Sequence, residues 1–269
     1  MASVMELIES RRSVRSFDGR ELEPGDLAAI EEFLERLRNP FDVPVTFRIL
    51  DAEEHGLKSP VIVGERRYVA TRVRRSKNSD AACGYEFERL CLFAASMGVG
   101  TVMMAGTMNR GVFEEVLQLA ENEYMPLVSP VGYPAAHMSL RERAMRLSIG
   151  ADDRLPFDQL FFEGSFERPL APERAGELAQ PLEAIRLAPS AANKQPWRVV
   201  VMGDELHLYL HRSINGTMNG DVQVADMGIA QAHFDLVAGE QGMKVHLKWS
   251  NPGIPVPDDT EYIGTIQIV

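Results

Sequence analysis

A loose repeat constrains the fold more than any other feature, because the order of patterns in the first half of the chain returns in the second. The segment CGYEFERLCLFAASMGVG matches MGIAQAHFDLVAGEQGMK through four identical pairs, each 144 positions apart: Gly84/Gly228, Leu92/Leu236, Ala94/Ala238 and Gly98/Gly242. Before it, RSFDGRELEPGDLAAIEEFLERL is echoed by GSFERPLAPERAGELAQPLEAIRLA, and after it EYMPLVSPVGY is echoed by EYIGTIQIV. Repetition in the same order predicts an internal duplication with halves at 1–150 and 151–269.

Local patterns place helices and strands along each half. Apolar residues at helical spacing predict helices over EPGDLAAIEEFLERL, over DAACGYEFERLCLFAASMG and over NRGVFEEVLQLA. Short apolar runs predict strands at VTFRIL, SPVIVG, YMPLVSPVGYP and RVVVMG. The chain therefore mixes helices and strands in both halves.

Composition excludes several classes of partner. A net charge of -11 disfavours nucleic acid, whose binding depends on clustered Lys and Arg. No apolar run approaches the roughly 20 residues that cross a bilayer, and the N-terminus lacks the apolar stretch of a secretory signal. Cys83 and Cys91 lie about 12 Å apart along one predicted helix, too far for a disulfide. We expect a cytoplasmic protein without a structural metal.

Near the N-terminus, ESRRSVRSF places Arg11, Arg12 and Arg15 around Ser13. Guanidinium groups stay charged and form paired hydrogen bonds with phosphate, so this segment is a candidate anion site. The alternative is an ordinary solvated basic surface.

A second candidate segment, LAPSAANKQPW, follows an apparent helix end and leads into the strand RVVVMG. Its small residues would let a flat ligand approach the backbone, while Asn193 and Gln195 can donate and accept hydrogen bonds. A capped loop with a half-buried Trp197 is the alternative interpretation.

Together RRSVRSF, PSAANKQPW, a helix ending in MGVGT, VGYP and RERAMR resemble the flavin-dependent nitroreductase and flavin reductase family. In that family the Ser/Asn/Gln loop follows the first long helix, but here that position reads RNPFDVPVTF, and the loop follows the equivalent helix of the second repeat. Family members are typically homodimers with FMN at the interface. The resemblance therefore implies two fused subunits that act as a pseudo-dimer, with one half-site retained in each copy.

The resemblance also implies a fold and a set of cofactor contacts. The fold is α+β, with an antiparallel-rich sheet flanked by helices in each half, and the halves pack along their long helices. One of Arg141, Arg143 and Arg146 is expected to contact the phosphate, with the choice among them open, and Arg143 represents them in the set below. The expected FMN-binding residues are Arg11, Arg12, Ser13, Arg15, Gly98, Val99, Gly100, Thr101, Arg143, Pro189, Ser190, Ala191, Ala192, Asn193 and Gln195.

By the same resemblance, the protein passes electrons from NAD(P)H through FMN to a nitroaromatic, a quinone or a similar small acceptor. Because the cofactor carries the hydride, no side chain is expected to act as a catalyst. A flavin-binding protein with a sensory or structural role is the alternative. The second pairing, FFEGSF with RNPFDVPVTF, lacks both motifs, so we expect a monomer with one FMN per chain.

Overall fold

The protein is described by a computed structural model that covers residues 2–269. The helices are α1 (Val4–Ser10), α2 (Pro24–Arg36), α3 (Ser79–Ser96), α4 (Arg110–Leu117), α5 (Leu140–Ser148), α6 (Phe157–Leu160), α7 (Ala179–Leu187) and α8 (Val222–Glu240). The strands are β1 (Val45–Asp51), β2 (Arg67–Arg74), β3 (Gly100–Thr101), β4 (Glu123–Tyr124), β5 (Val128–Gly132), β6 (Phe161–Glu163), β7 (Trp197–Met202), β8 (Glu205–His211), β9 (Val245–Lys248) and β10 (Thr260–Ile268).

Two separate five-stranded sheets divide the strands according to their order in the chain. The first has the order β1-β2-β5-β3, with β4 paired to β2, and all of its ladders are antiparallel. The second has the order β6-β7-β8-β10-β9, and only β6 and β7 are parallel. The predicted α+β class, with an antiparallel-rich sheet in each half, is confirmed.

The two long helices, α3 and α8, pack against each other between the sheets. A Cβ atom on Gly84 would lie 2.0 Å from the carbonyl oxygen of Ala225, and one on Gly228 would lie 1.9 Å from that of Ala81. Both partners are also 144 positions apart, so each helix presents the same glycine and the same alanine to the other. The crossing is therefore reciprocal, as in a two-fold interface.

Helix α1 connects the two halves, although it lies at the start of the first. Ile8 packs with Leu92 of α3, Ala184 of α7 and Val237 of α8 in one buried cluster. Ser3 caps the helix through a capping box with Glu6. The segment that follows α1 is thereby fixed beside the second half.

The predicted strand SPVIVG is wrong, and the sequence patterns missed β2, which lies inside the first sheet. Within residues 59–64, only Val63 forms backbone–backbone hydrogen bonds to residues outside this segment, and these are isolated bridges to the N-terminal segment rather than part of a strand. Strand β2 reads RYVATRVR, where three arginines interrupt the apolar pattern, yet it lies between β1 and β5. Burial of Tyr68 and Val69 on both sides of the sheet outweighs the local polar signal.

Both cysteines are buried free thiols, as the spacing predicts. Within residues 2–269, no helix combines the length and the apolar character that spanning a bilayer requires.

Replacing Gly228 by Ala is expected to destabilise the protein by about 1–3 kcal/mol, because the new methyl group overlaps the Ala81 carbonyl in a tightly packed crossing. Gly239→Ala is the matched control on the same helix, since nothing lies within 4 Å of the place its new methyl group would take. The control should stabilise by up to about 1 kcal/mol through helix propensity. Urea unfolding of both variants measures the difference, and equal shifts would contradict the close crossing.

Candidate functional site

A cavity of about 200 Å³ lies between the two halves, and both contribute to its wall. It brings together nine of the residues that the sequence selects: Arg11, Arg12, Ser13, Arg15, Pro189, Ser190, Ala191, Ala192 and Asn193. The two motifs are separated by more than 170 positions in sequence but form one wall of residues in space.

The Arg/Ser segment is held as a short extended strip at the edge of the first sheet. The Val14 amide donates to the Thr101 carbonyl at 2.9 Å, and the Val63 amide donates to the Arg15 carbonyl at 3.0 Å. Successive side chains of an extended strip point to opposite sides. Ser13 and Arg15 therefore face the cavity, while Val14 between them is buried. Val14 packs so closely over Gly100 that a Cβ atom added to Gly100 would lie 2.9 Å from the Val14 side chain.

The loop after α7 has a strained backbone. Ala192, Asn193 and Gln195 all have positive φ, at 48°, 54° and 48°. Non-glycine residues rarely adopt this conformation, which persists only where the surroundings enforce it and is concentrated at functional sites.

Several hydrogen bonds enforce the shape of this loop. The Gln195 amide donates to Ser190 Oγ at 2.8 Å, and Gln195 Oε1 accepts from the Leu155 amide at 2.8 Å. Asn193 Nδ2 donates to the carbonyls of Gly150 and Asp153, at 2.6 and 3.0 Å. The side-chain donors of Asn193 therefore tie the loop to the linking stretch between the two halves, residues 141–162, although Asn193 itself lines the cavity.

Five arginines line the cavity, and two of them, Arg146 and Arg154, come from the linking stretch rather than from the N-terminal motif. Burial lowers the pKa of Arg15; Glu142 opposes the shift and Arg146 adds to it. Burial also lowers the pKa of Arg154, and the charge of Arg11 lowers it further. These guanidinium groups remain charged but crowd one another, so an anion in the cavity would relieve their repulsion.

Arg154 has a donor without a partner among residues 2–269, since its Nε is buried and forms no hydrogen bond. Nε of Arg11 also forms no well-aligned hydrogen bond, but it faces Glu88 as an ion pair. Arg146 is engaged by Asp152, an exposed carboxylate at the cavity rim. The donor set therefore suits a ligand that carries a phosphate and further acceptor atoms.

Arg11 rests on a buried charged network that crosses between the halves. Its Nε lies 3.3 Å from Glu88 Oε1 of α3, and the same oxygen lies 2.9 Å from His233 Nε2 of α8. His233 Nδ1 lies 2.8 Å from the Ala184 carbonyl, which can only accept, so Nδ1 carries a hydrogen. The network holds Arg11 against the cavity wall.

The sequence patterns also missed Asp226, which lines the cavity from α8. Both of its carboxyl oxygens lie 3.1 Å from the Ala191 amide, so it anchors the strained loop. Burial raises its pKa well above the usual range of aspartate, the Ala191 amide opposes this shift, and the charge of Asp221 adds to it. The sequence did contain a signal for this residue, because Asp226 is an acidic residue within the otherwise mainly apolar run VADMGIAQA.

The remaining predicted site residues do not line the cavity. Gly98 ends α3 with a positive φ of 75°, and Val99 lies in the core of the first half. Gly100 and Thr101 support the Arg/Ser strip from behind through the contacts given above. Arg143 is exposed on α5, one turn from Arg146, which does line the cavity. Gln195 is buried and shapes the loop.

The equivalent place on α3 is filled with side chains. Val222, Ala225, Asp226 and Ile229 of the cavity wall correspond, 144 positions earlier, to Asn78, Ala81, Ala82 and Tyr85. There Phe41 and Tyr85 pack edge to face at 6.2 Å between ring centroids, in a cluster with both alanines. Of the two related positions, only the one on α8 faces a cavity of about 200 Å³ in the described part of the chain.

Two sheets joined by a helix crossing, with a composite arginine-rich cavity between them, define a nitroreductase-like fold. The profile of the family described as "Putative TM nitroreductase" matches residues 3–238, and the chain belongs to this family. No curated protein matches the sequence significantly.

Solved structures of this family resemble the protein. A "putative nitroreductase" from Thermotoga maritima has 20% sequence identity and a TM-score of 0.62, over 99% of this chain and 93% of that one. A nitroreductase family protein from Clostridium difficile has 16% identity and a TM-score of 0.46, over 59% and 96%. A nitroreductase with bound FMN from Bacteroides fragilis has 19% identity and a TM-score of 0.42, over 52% and 92%. The first of these supports the shared fold across both halves.

Glu88→Gln is expected to destabilise the protein by about 3 kcal/mol, because it leaves the buried guanidinium of Arg11 without a carboxylate. The matched control is Glu32→Gln, which removes an exposed ion pair with Arg36 and should cost at most about 1 kcal/mol. Urea unfolding at neutral pH gives both values. A Glu88→Gln effect as small as that of the control would show that the network contributes little.

Proposed function

We propose that the protein is an FMN-dependent oxidoreductase that takes electrons from NAD(P)H and passes them to a nitroaromatic, a quinone or a similar small acceptor. The observation that carries this proposal is the composite cavity, which joins the Arg/Ser segment to the Ser/Asn loop across the two halves. Membership in the nitroreductase family supports the general reaction class. When bound, FMN supplies the hydride chemistry, and the protein binds and orients it.

The lining of the cavity suits both ends of FMN. Arg12, Arg15 and Arg146 would hold the phosphate, because three guanidinium groups can neutralise a dianion through charge-assisted hydrogen bonds. The strained loop exposes the small residues Ala191 and Ala192, which let an aromatic ring approach the backbone. Met103, Leu127 and Ile229 add apolar surface for such a ring.

The positive charge of the cavity also favours a reduced flavin. Reduced flavin carries negative charge at the N1 edge of its ring, and nearby guanidinium groups stabilise that charge. Arg11 is suited to this role because Glu88, which His233 contacts in turn, holds its side chain at the cavity wall. We assign Arg11 and Ser13 to the ring and ribityl region and Arg146, rather than Arg143, to the phosphate.

We further infer that the chain is an internal duplication with halves at 1–150 and 151–269, that it binds one FMN as a monomer, and that it acts in the cytoplasm. The reciprocal glycine contact of α3 and α8 supports the duplication. The aromatic packing of Phe41 and Tyr85 at the related position supports a single site.

Arg15→Ala should weaken FMN binding about 10- to 100-fold, because it removes a charge-assisted contact worth about 1.5–3 kcal/mol. Arg146→Ala should weaken it similarly, whereas Arg143→Ala, on the exposed face of the same helix, serves as the control. Flavin fluorescence titration of the apoprotein measures the affinities. A loss confined to Arg143→Ala would move the phosphate contact to that residue.

The purified chain should bind one FMN per chain at the solution mass of a monomer, and NADH or NADPH should bleach its visible absorbance under anaerobic conditions. Flavin released by denaturation, compared with protein concentration, gives the stoichiometry. Two FMN per chain, or binding only by a dimer, would contradict the single composite site. Bound FMN that neither nucleotide reduces would favour a non-catalytic flavin protein.

A further inference from the structure

The cavity wall contains a buried carboxyl group that the binding of FMN does not require. Along α8, Val222, Ala225 and Ile229 present apolar surface to the cavity, and Asp226 lies among them with 4% of its surface exposed. The related position on α3 is Ala82, which is fully buried. Burying a carboxyl group without a cation is costly, so its presence in the wall calls for an explanation.

Asp226 has unused hydrogen-bonding capacity. Within residues 2–269, its only partner is the Ala191 amide, a donor, and it forms no ion pair with any cavity arginine. Since burial keeps the pKa of this carboxyl raised, the neutral acid is favoured, and an acid has one O–H to donate. No protein acceptor contacts that O–H in the described residues, and the residue borders the cavity.

We propose that Asp226 is the proton donor for the acceptor that is reduced in this cavity, with a quinone, whose oxygen must be protonated, as the acceptor used to test it. This inference rests on the proposed function. Reduction of a quinone to a hydroquinone adds one hydride, supplied by the bound cofactor, and one proton. The O–H bond of Asp226 breaks, a new O–H bond forms on the quinone oxygen, and the carboxylate that remains recovers its proton from water.

The surroundings suit both states of the carboxyl. Before transfer, burial favours the protonated form by raising the pKa; after transfer, the Ala191 amide stabilises the carboxylate. Burial raises the pKa of the Cys91 thiol of α3, which also faces the cavity, to about 12. The other ionisable groups that face the cavity are Arg11, Arg12 and Arg15 of the N-terminal segment and Arg146, Asp152 and Arg154 of the linking stretch. Asp221 adds negative charge from the start of α8.

Asp226→Asn separates this role from loop anchoring, because the amide oxygen can still accept from the Ala191 amide but the side chain supplies no acidic proton. A quinone is compared with ferricyanide, which accepts electrons without a proton. The ratio of quinone to ferricyanide turnover should fall about 100-fold in Asp226→Asn, within the usual range for loss of a general acid. Wild-type quinone turnover should decline as the pH rises through the raised pKa of Asp226, and the variant should lack this decline.

The control is Asp235→Asn on the same helix, a carboxyl with a pKa raised to about 7 that lies outside the cavity lining. It should leave the quinone to ferricyanide ratio within about threefold of wild type, since its side chain does not border the reacting molecules. Equal loss of both activities in Asp226→Asn would reduce Asp226 to a positioning residue and overturn the proposal.

Infrared spectroscopy provides a readout that is independent of catalysis. At neutral pH, the carbonyl bands of protonated carboxyl groups in the wild-type protein should include a component from Asp226 that is lost in Asp226→Asn and retained in Asp235→Asn; Asp235→Asn should remove only the separate component from Asp235. Absence of a band that depends on Asp226 would overturn the proposal even if FMN is bound and reduced. Presence of the band in a protein that fails to bind FMN would instead count against the proposed function and leave the protonated carboxyl established.

Discussion

The reciprocal crossing of α3 and α8 is the contact on which the rest of the molecule depends. Gly84 and Gly228 each leave room for a carbonyl of the opposite helix, so the two backbones approach more closely than side chains would allow. This approach fixes how the sheets sit relative to each other. It also brings Glu88 within hydrogen-bond distance of His233 and places the apolar face of α8 opposite the Arg/Ser segment. A site built from both halves requires such a rigid junction.

The cavity concentrates features that oppose folding. Arginines whose pKa values are lowered by burial, an aspartate whose pKa is raised by burial, and three non-glycine residues with positive φ all border it or support it. Each costs free energy in the absence of a ligand. The surrounding hydrogen bonds from Asn193 and Gln195, together with α1 packed against both halves, hold this arrangement in place. Preorganisation of this kind is what the proposed flavin site requires, because fixed charges would act on the cofactor without rearranging.

The two related positions on α3 and α8 are filled differently. On α8 the wall includes Asp226 and opens to the arginine cluster, whereas on α3 the same turn includes Ala82 and Tyr85 and is closed by Phe41. The aromatic side chains on α3 contribute hydrophobic stabilisation that the open cavity on α8 lacks. The two positions therefore differ as an open cavity and additional core.

The sequence by itself determined the repeat, the α+β class, the long helices and the two motifs whose residues meet in the cavity, because these depend on local periodicity and on residue types at short spacing. The sequence patterns missed strand β2 because its arginines interrupt the apolar pattern, whereas its burial results from its position between β1 and β5 in the sheet. The choice of Arg146 over Arg143 depends on which face of α5 meets the cavity. Asp226, Arg154 and the strained loop were likewise decided by tertiary structure, since a side chain becomes part of a site only when distant segments enclose it.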